Sequence, residues 1–169
     1  NRVHSVRKEE HLRISLNHEP SYAEKGTGFE NYYFIHNALP EISLEEIDTS
    51  IEVLGRRLKL PLMISPMVGG INEASKLNRD LSIVAKECGI GMGIGSQRIA
   101  IEDKKLESSF DVRRFAPDIL LFANLGAVQL NYGYDINHCK RAIEMNDADA
   151  LFLHLNPLQE ALQVEGNCN

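Results

Sequence analysis

Three groups of residues in this sequence have the types and spacing to do chemistry. In Arg7-Lys8-Glu9-Glu10-His11, Arg7 and His11 stand four residues apart, so on a helix they share a face, with Lys8 beside them. Two permanent cations and an imidazole on one face suit a diphosphate, since a guanidinium can bind phosphate oxygens through two parallel bonds. The same spacing also describes a solvated, charged helix end. In His154-Leu155-Asn156-Pro157-Leu158-Gln159-Glu160, alternation along a strand puts His154 and Asn156 on one face, with Gln159 and Glu160 in the loop beyond. A carboxylate beside amide oxygens suits Mg2+, which prefers oxygen ligands and is commonly held by one or two carboxylates plus substrate phosphates. A glutamate there also suits a helix N-terminus with no metal at all. The third group is dispersed: Met67-Val68-Gly69, Ser96-Gln97-Arg98 and Asn124-Leu125-Gly126 each follow an apolar run. Short polar groups so placed can hold the carbonyl and N–H edge of a flavin ring, or serve only as turn residues.

The elements that must position these groups repeat. Apolar runs begin near residues 60, 90, 119 and 150, about 30 residues apart. Helical patterns lie between them: 72–88 with Leu77, Leu81, Ile83 and Val84 as an apolar stripe and Gly89 as its stop, 103–116 closed by Pro117, and 135–145. A βα unit of this period with almost wholly apolar strands predicts parallel strands covered on both sides. All four strands end in small or polar residues, which favours a (β/α)8 barrel, where strand ends meet in one ring, over an open doubly wound sheet. A complete barrel takes about 250 residues, so four units predict roughly the first half of one, inactive by itself. Glycines 89, 91, 93 and 95 recur at every second position and share one face of a strand; something must pack close to that backbone. They are not the GxGxxG of a dinucleotide fold.

Residues 1–55 follow no such period. A helix is expected over 5–16, a capping box at Ser43 with Glu46, and a small hairpin of 51–54 with 57–58 around Gly55-Arg56. The expected organisation is thus an extension, 1–55, and a half-barrel, 56–169. The net charge of −6 argues against nucleic acid as a partner, which needs a basic face. No apolar run approaches a membrane span and no leader pattern is present, so a cytoplasmic location is expected. Cys88, Cys139 and Cys168 have neither disulfide nor zinc spacing.

Taken together, Arg7-Lys8-x-x-His11, His36-Asn37-Ala38-Leu39-Pro40-Glu41-Ile42, Ile64-Ser65-Pro66-Met67-Val68-Gly69-Gly70, Gly93-Ile94-Gly95-Ser96-Gln97-Arg98, Asn124-Leu125-Gly126, and His154 to Glu160 with Glu165-Gly166-Asn167 resemble the type 2 isopentenyl diphosphate isomerases. That resemblance implies interconversion of isopentenyl and dimethylallyl diphosphate with reduced FMN and Mg2+, NADPH keeping the flavin reduced, in a homo-oligomer (tetramer or octamer). It implies that Arg7, Lys8 and His11 hold the diphosphate, with Asn156 and Gln159 also against the substrate. Met67, Val68, Gly69, Ser96 and Asn124 line the FMN, His154 and Gln159 are catalytic, and Glu160 takes Mg2+. Val68 departs from the threonine usual there, and the lysine and glycine-rich loops that bind the FMN phosphate are not in this sequence. An FMN barrel of the hydroxy-acid oxidase type and a non-catalytic half-barrel that pairs with another chain remain the alternatives.

Overall fold

The computed structural model describes residues 2–17, 26–163 and 166–167, and the side chains of all these except 2–8, 11 and 72. Helix α1 spans Arg2–Asn17. Residues 26–50 run mostly extended and exposed, broken by one-turn 3-10 segments at Phe29–Asn31 and Leu44–Glu46. The capping box forms: the Ser43 N–H donates to the Glu46 carboxylate at 2.9 Å. It caps a single turn, because the chain leaves at Ile47 in an extended conformation.

Strands β1 (Ile51–Val53) and β2 (Arg56–Leu58) pair antiparallel. Their turn is Leu54-Gly55, one residue before the expected Gly55-Arg56, with φ of 52° and 74°. Two successive left-handed residues match the twist of the strands they join. The hairpin straddles residue 55.

Then β3 (Met63–Ile64), β4 (Gly91–Gly93), β5 (Leu121–Gly126) and β6 (Ala150–His154) form one parallel sheet in the order β3-β4-β5-β6. Each neighbour in space is the next strand in sequence, with no reversal of order. Helix α2 (Asn72–Cys88) ends at Gly89, whose φ of 66° lets its N–H reach the Ala85 and Lys86 carbonyls. Gly89 therefore caps a helix and stands outside the run of strand glycines. Helices α3 (Arg98–Glu102), α4 (Ile136–Glu144) and the short α5 (Pro157–Leu162) complete the helical set.

The helix expected over 103–116 does not form. Asp103 accepts the Lys105 N–H, starting a 3-10 segment, Lys104–Phe110, instead. Phe110 and Val112 are then buried against the sheet. The stretch thus ends with Phe110 fully buried in the main core and against Gly69.

The two faces of the sheet differ. Met92, Ile94, Leu121, Ala123 and Leu125 form one core with Ala85 of α2, Ile99 and Ala100 of α3, Phe110 and Ala142 of α4. The opposite parity, Leu120 and Phe122, packs on Leu58 of the hairpin, with Val53, Ala150 and Phe152 against it. Phe122 and Phe152 stack with centroids 4.4 Å apart. All the helices that join the main core do so on one face, and the hairpin closes the N-terminal end of the other. There Asp149 accepts from Arg56 at 2.6 Å, Arg113 at 3.1 Å and the Leu121 N–H at 2.9 Å.

Candidate active site

A cleft of about 640 Å³ opens at the C-terminal ends of all four parallel strands, within the size range of ligand sites. Its lining draws on each strand end in turn: Ser65 and Met67 after β3, Gly95 and Ser96 after β4, Asn124 and Gly126 of β5, and His154, Asn156, Gln159 and Glu160 after β6. Parallel strands in consecutive order put those ends side by side, which is why residues about 30 apart in sequence converge.

The strand glycines clear the space. A Cβ at Gly93 would lie 2.6 Å from Pro66, and one at Gly95 would lie 2.5 Å from the Val68 backbone. The close neighbour expected over this face is the loop after β3, not a helix. That loop is tied from behind: Asn78 of α2 donates to the Val68 and Ser109 carbonyls at 3.3 and 3.2 Å, and the Gly70 N–H donates to Ser109 Oγ at 2.9 Å. Gly69 packs against the Phe110 ring.

Sequence-expected residues thus separate. Met67, Ser96, Asn124, His154, Asn156, Gln159 and Glu160 line the cleft. Gly69 does not, and Val68 turns its side chain away into a small core with Ile71, Ala74, Leu12 and Leu77. A hydroxyl there would point toward α2. Arg7, Lys8 and His11 lie on the α1 backbone, but their side chains fall outside the described residues, as does Glu165. Arg98, Glu102 and Gln129 line the cleft without having been expected as site residues; Arg98 and Glu102 pair at 2.9 Å. The signal for Arg98 was its place two residues beyond the strand-end Gly95-Ser96, within a group already marked by its position after an apolar run.

Electrostatically the cleft is nearly closed on itself. The His154 ring lies with Nδ1 2.7 Å from Asn124 Oδ1. Burial pulls the imidazole below its ordinary pKa, against the opposing influence of Glu160 and of a hydrogen bond to the Leu125 backbone. Glu160 accepts from Asn156 Nδ2 at 3.0 Å and from the Asn167 N–H at 2.7 Å. Asn167 Oδ1 in turn accepts from Arg98 and Gln129 at 3.0 and 3.1 Å. Among the described residues no cluster of three His, Cys, Asp or Glu forms a metal site. A cation here would depend on Glu160 together with ligands brought by a substrate.

A family model for FMN-dependent dehydrogenases matches residues 3–108. The chain belongs to the FMN-dependent dehydrogenase family. Within this family, it is similar to proteins named isopentenyl-diphosphate delta-isomerase. That of Nostoc sp. (strain PCC 7120) is 47% identical over 163 residues, 96% of this chain and 47% of the relative. That of Synechocystis sp. (strain PCC 6803) is 50% identical over 161 residues, 95% of this chain and 46% of the relative. That of Cronobacter sakazakii is 48% identical over 164 residues, 96% of this chain and 47% of the relative. The chain spans about half the length of the curated relatives it matches.

The cleft suits the ring of a flavin better than its tail. Asn124 and Ser96 offer polar contacts to the edge of a flat ring, and Met67 and Phe152 offer apolar surface beside them. Arg98 is the only lysine or arginine among the described lining residues, and it is engaged by Glu102 and Asn167.

Proposed function

We propose that this chain supplies the first four βα units of a (β/α)8 barrel that isomerises isopentenyl and dimethylallyl diphosphate, with residues 1–55 as an extension and 56–169 as the barrel half. The observation that carries the reading is the convergence of four parallel strand ends on one cleft, which brings Ser96, Asn124, His154 and Glu160 together, in a chain about half identical to isopentenyl-diphosphate delta-isomerases. When bound, reduced FMN supplies an electron-rich ring that stabilises developing positive charge at the allylic carbons.

The chain's own residues bind and orient. A neutral alkene offers no handle except its diphosphate, so holding that group is what aligns the reacting carbons, and alignment can contribute much of the rate. Arg7, Lys8 and His11 hold the diphosphate from α1, with Asn156 and Gln159 beside it. Glu160 takes Mg2+, neutralising phosphate charge. Met67, Ser96 and Asn124, which line the cleft, hold the FMN; Gly69 and Val68 stand behind them in the loop after β3 and act by shaping its backbone. His154, fixed by Asn124, and Gln159 stand where a proton must be held or moved. NADPH serves as reductant, and the working form is a cytoplasmic homo-oligomer, a tetramer or octamer.

The test is a chimera in which this chain replaces the matching residues of the Synechocystis isomerase. The chimera should interconvert the two diphosphates, followed by proton NMR, while the 169-residue chain alone with FMN, Mg2+ and reductant gives no turnover. A folded, flavin-loaded chimera without activity would overturn the reading.

A further inference from the structure

Gln97 is fully buried, yet it does not line the cleft. It sits where β4 has ended and its ladder with β5 should end too. Instead the bonding continues through Gln97. Its backbone N–H donates to the Asn124 carbonyl at 2.9 Å. Its side-chain Oε1 accepts the Asn124 N–H at 3.0 Å. Its Nε2 donates to the Ala142 carbonyl of α4 at 2.8 Å. One residue therefore grips both backbone polar groups of Asn124 and anchors the grip to a helix behind the sheet. The side-chain amide takes the place of a strand carbonyl that is no longer there.

A buried amide held at both ends is costly to disturb, because each lost partner leaves a desolvated group unsatisfied. It is also directional. Asn124 presents its own side chain to the cleft, where Oδ1 meets His154 Nδ1 at 2.7 Å. The line Ala142–Gln97–Asn124–His154 runs from α4 through the sheet to the cleft. We propose that Gln97 is a positioning residue: it sets the angle at which Asn124 enters the cleft and thereby holds the His154 ring. The consequence for flavin binding rests on the function proposed above; the consequence for His154 does not.

The experiment is a double-mutant cycle of Gln97→Met and Asn124→Ala in the full chain and in the Synechocystis chimera. Methionine keeps the volume and removes the side-chain bonds to Asn124 and Ala142 together with the weaker one to Met145 Sδ at 3.5 Å. The readouts are the ¹⁵N shift of His154 Nδ1, which needs no flavin, and the FMN dissociation constant of the chimera. Gln97→Met should move the His154 resonance and weaken FMN binding about 10-fold, the size expected for a buried hydrogen-bonding partner removed. On the Asn124→Ala background it should do neither, since its only route is gone. Equal effects on both backgrounds, or an unmoved His154 resonance in folded Gln97→Met, would overturn the proposal. If wild-type chimera binds no FMN, the functional reading fails while the His154 readout still decides the clamp. If Gln97→Met does not fold, wild-type hydrogen exchange decides: the Asn124 amide should exchange as slowly as the β5 core amides, and fast exchange there would refute the clamp.

Discussion

The two ends of the parallel sheet are built from the same strands and solve different problems. At the N-terminal end, Asp149 closes a compact charge network with Arg56 and Arg113, and the hairpin seals Leu120 and Phe122 beneath Leu58. At the C-terminal end, small residues and amides leave a cleft, and the polar groups are linked sideways from one strand end to the next. One end is filled and the other is kept open. Folding stability should therefore respond mainly to changes at the first, and ligand binding mainly to changes at the second, as expected when strand C-termini carry a site and N-termini carry the fold.

That division can be broken most forcefully at Gly95. It lines the cleft, but a Cβ there would meet the Val68 carbonyl carbon and oxygen at 2.5 Å, atoms of a backbone that cannot rotate aside. Gly95→Ala should cost about 3 kcal/mol in a urea titration and deform the loop after β3. A loss below about 0.5 kcal/mol would show that the loop is free to shift.

Asp149→Ala comes next. It takes the carboxylate from Arg113, only 14% exposed and left to the Pro117, Ile119 and Asp147 carbonyls, and the partner from the Leu121 amide, so about 2 kcal/mol should be lost with FMN affinity of the chimera unchanged. Altered affinity would mean the two ends communicate. The same carboxylate sets a pH dependence. Burial alone would raise its pKa, but the Leu121 amide, Arg56 and Arg113 outweigh burial and hold it below the ordinary 3.8. A depressed carboxylate stabilises the fold above its ordinary pKa, and that contribution is lost as pH falls through the folded value. Wild-type stability should drop on acidification below about pH 4, and Asp149→Asn should flatten that drop.

At the open end, Asn124→Ala should weaken FMN binding about 10-fold, read by flavin fluorescence. Its unfolding midpoint should stay close to wild type if the division holds. The smallest effect belongs to Val68→Thr. It restores a hydroxyl to the position but buries it toward α2, so stability should fall by about 1 kcal/mol and FMN affinity should not improve. A gain in affinity would mean the side chain turns into the cleft when flavin is present.

What sequence reading captured and what it missed divide on physical lines. The βα period, helix 72–88 with its Gly89 stop, and the convergence of Ser96, Asn124 and His154 on one cleft all follow from periodicity and strand ends, which are local signals. The misses depend on contacts distant in sequence. The 103–116 stretch carries a helical pattern, yet Phe110 is claimed by the β3 loop and the sheet. Val68 sits in an apolar run where no alternation reveals which way a side chain faces. Gln97 reads as a turn residue beside two cleft residues, and only the register of β4 against β5 shows that its amide continues a ladder. The hairpin was legible to within one residue, but its role as a seal was not, since its partners lie in β5 and β6.

The Arg56–Asp149 contact joins residues 93 apart in the chain. During synthesis at roughly 5–20 residues per second, the hairpin waits on the order of 5–20 s before its anchoring carboxylate has been made. For the first two thirds of that interval, on the order of 3–13 s, neither Leu120 nor Phe122 has been made to cover Leu58, and a two-stranded hairpin alone is marginal in water. The residue that fastens the earliest strands of the protein thus stands immediately before the latest one, and a nascent chain interrupted before Asp149 carries an unfastened hairpin for quality control to find.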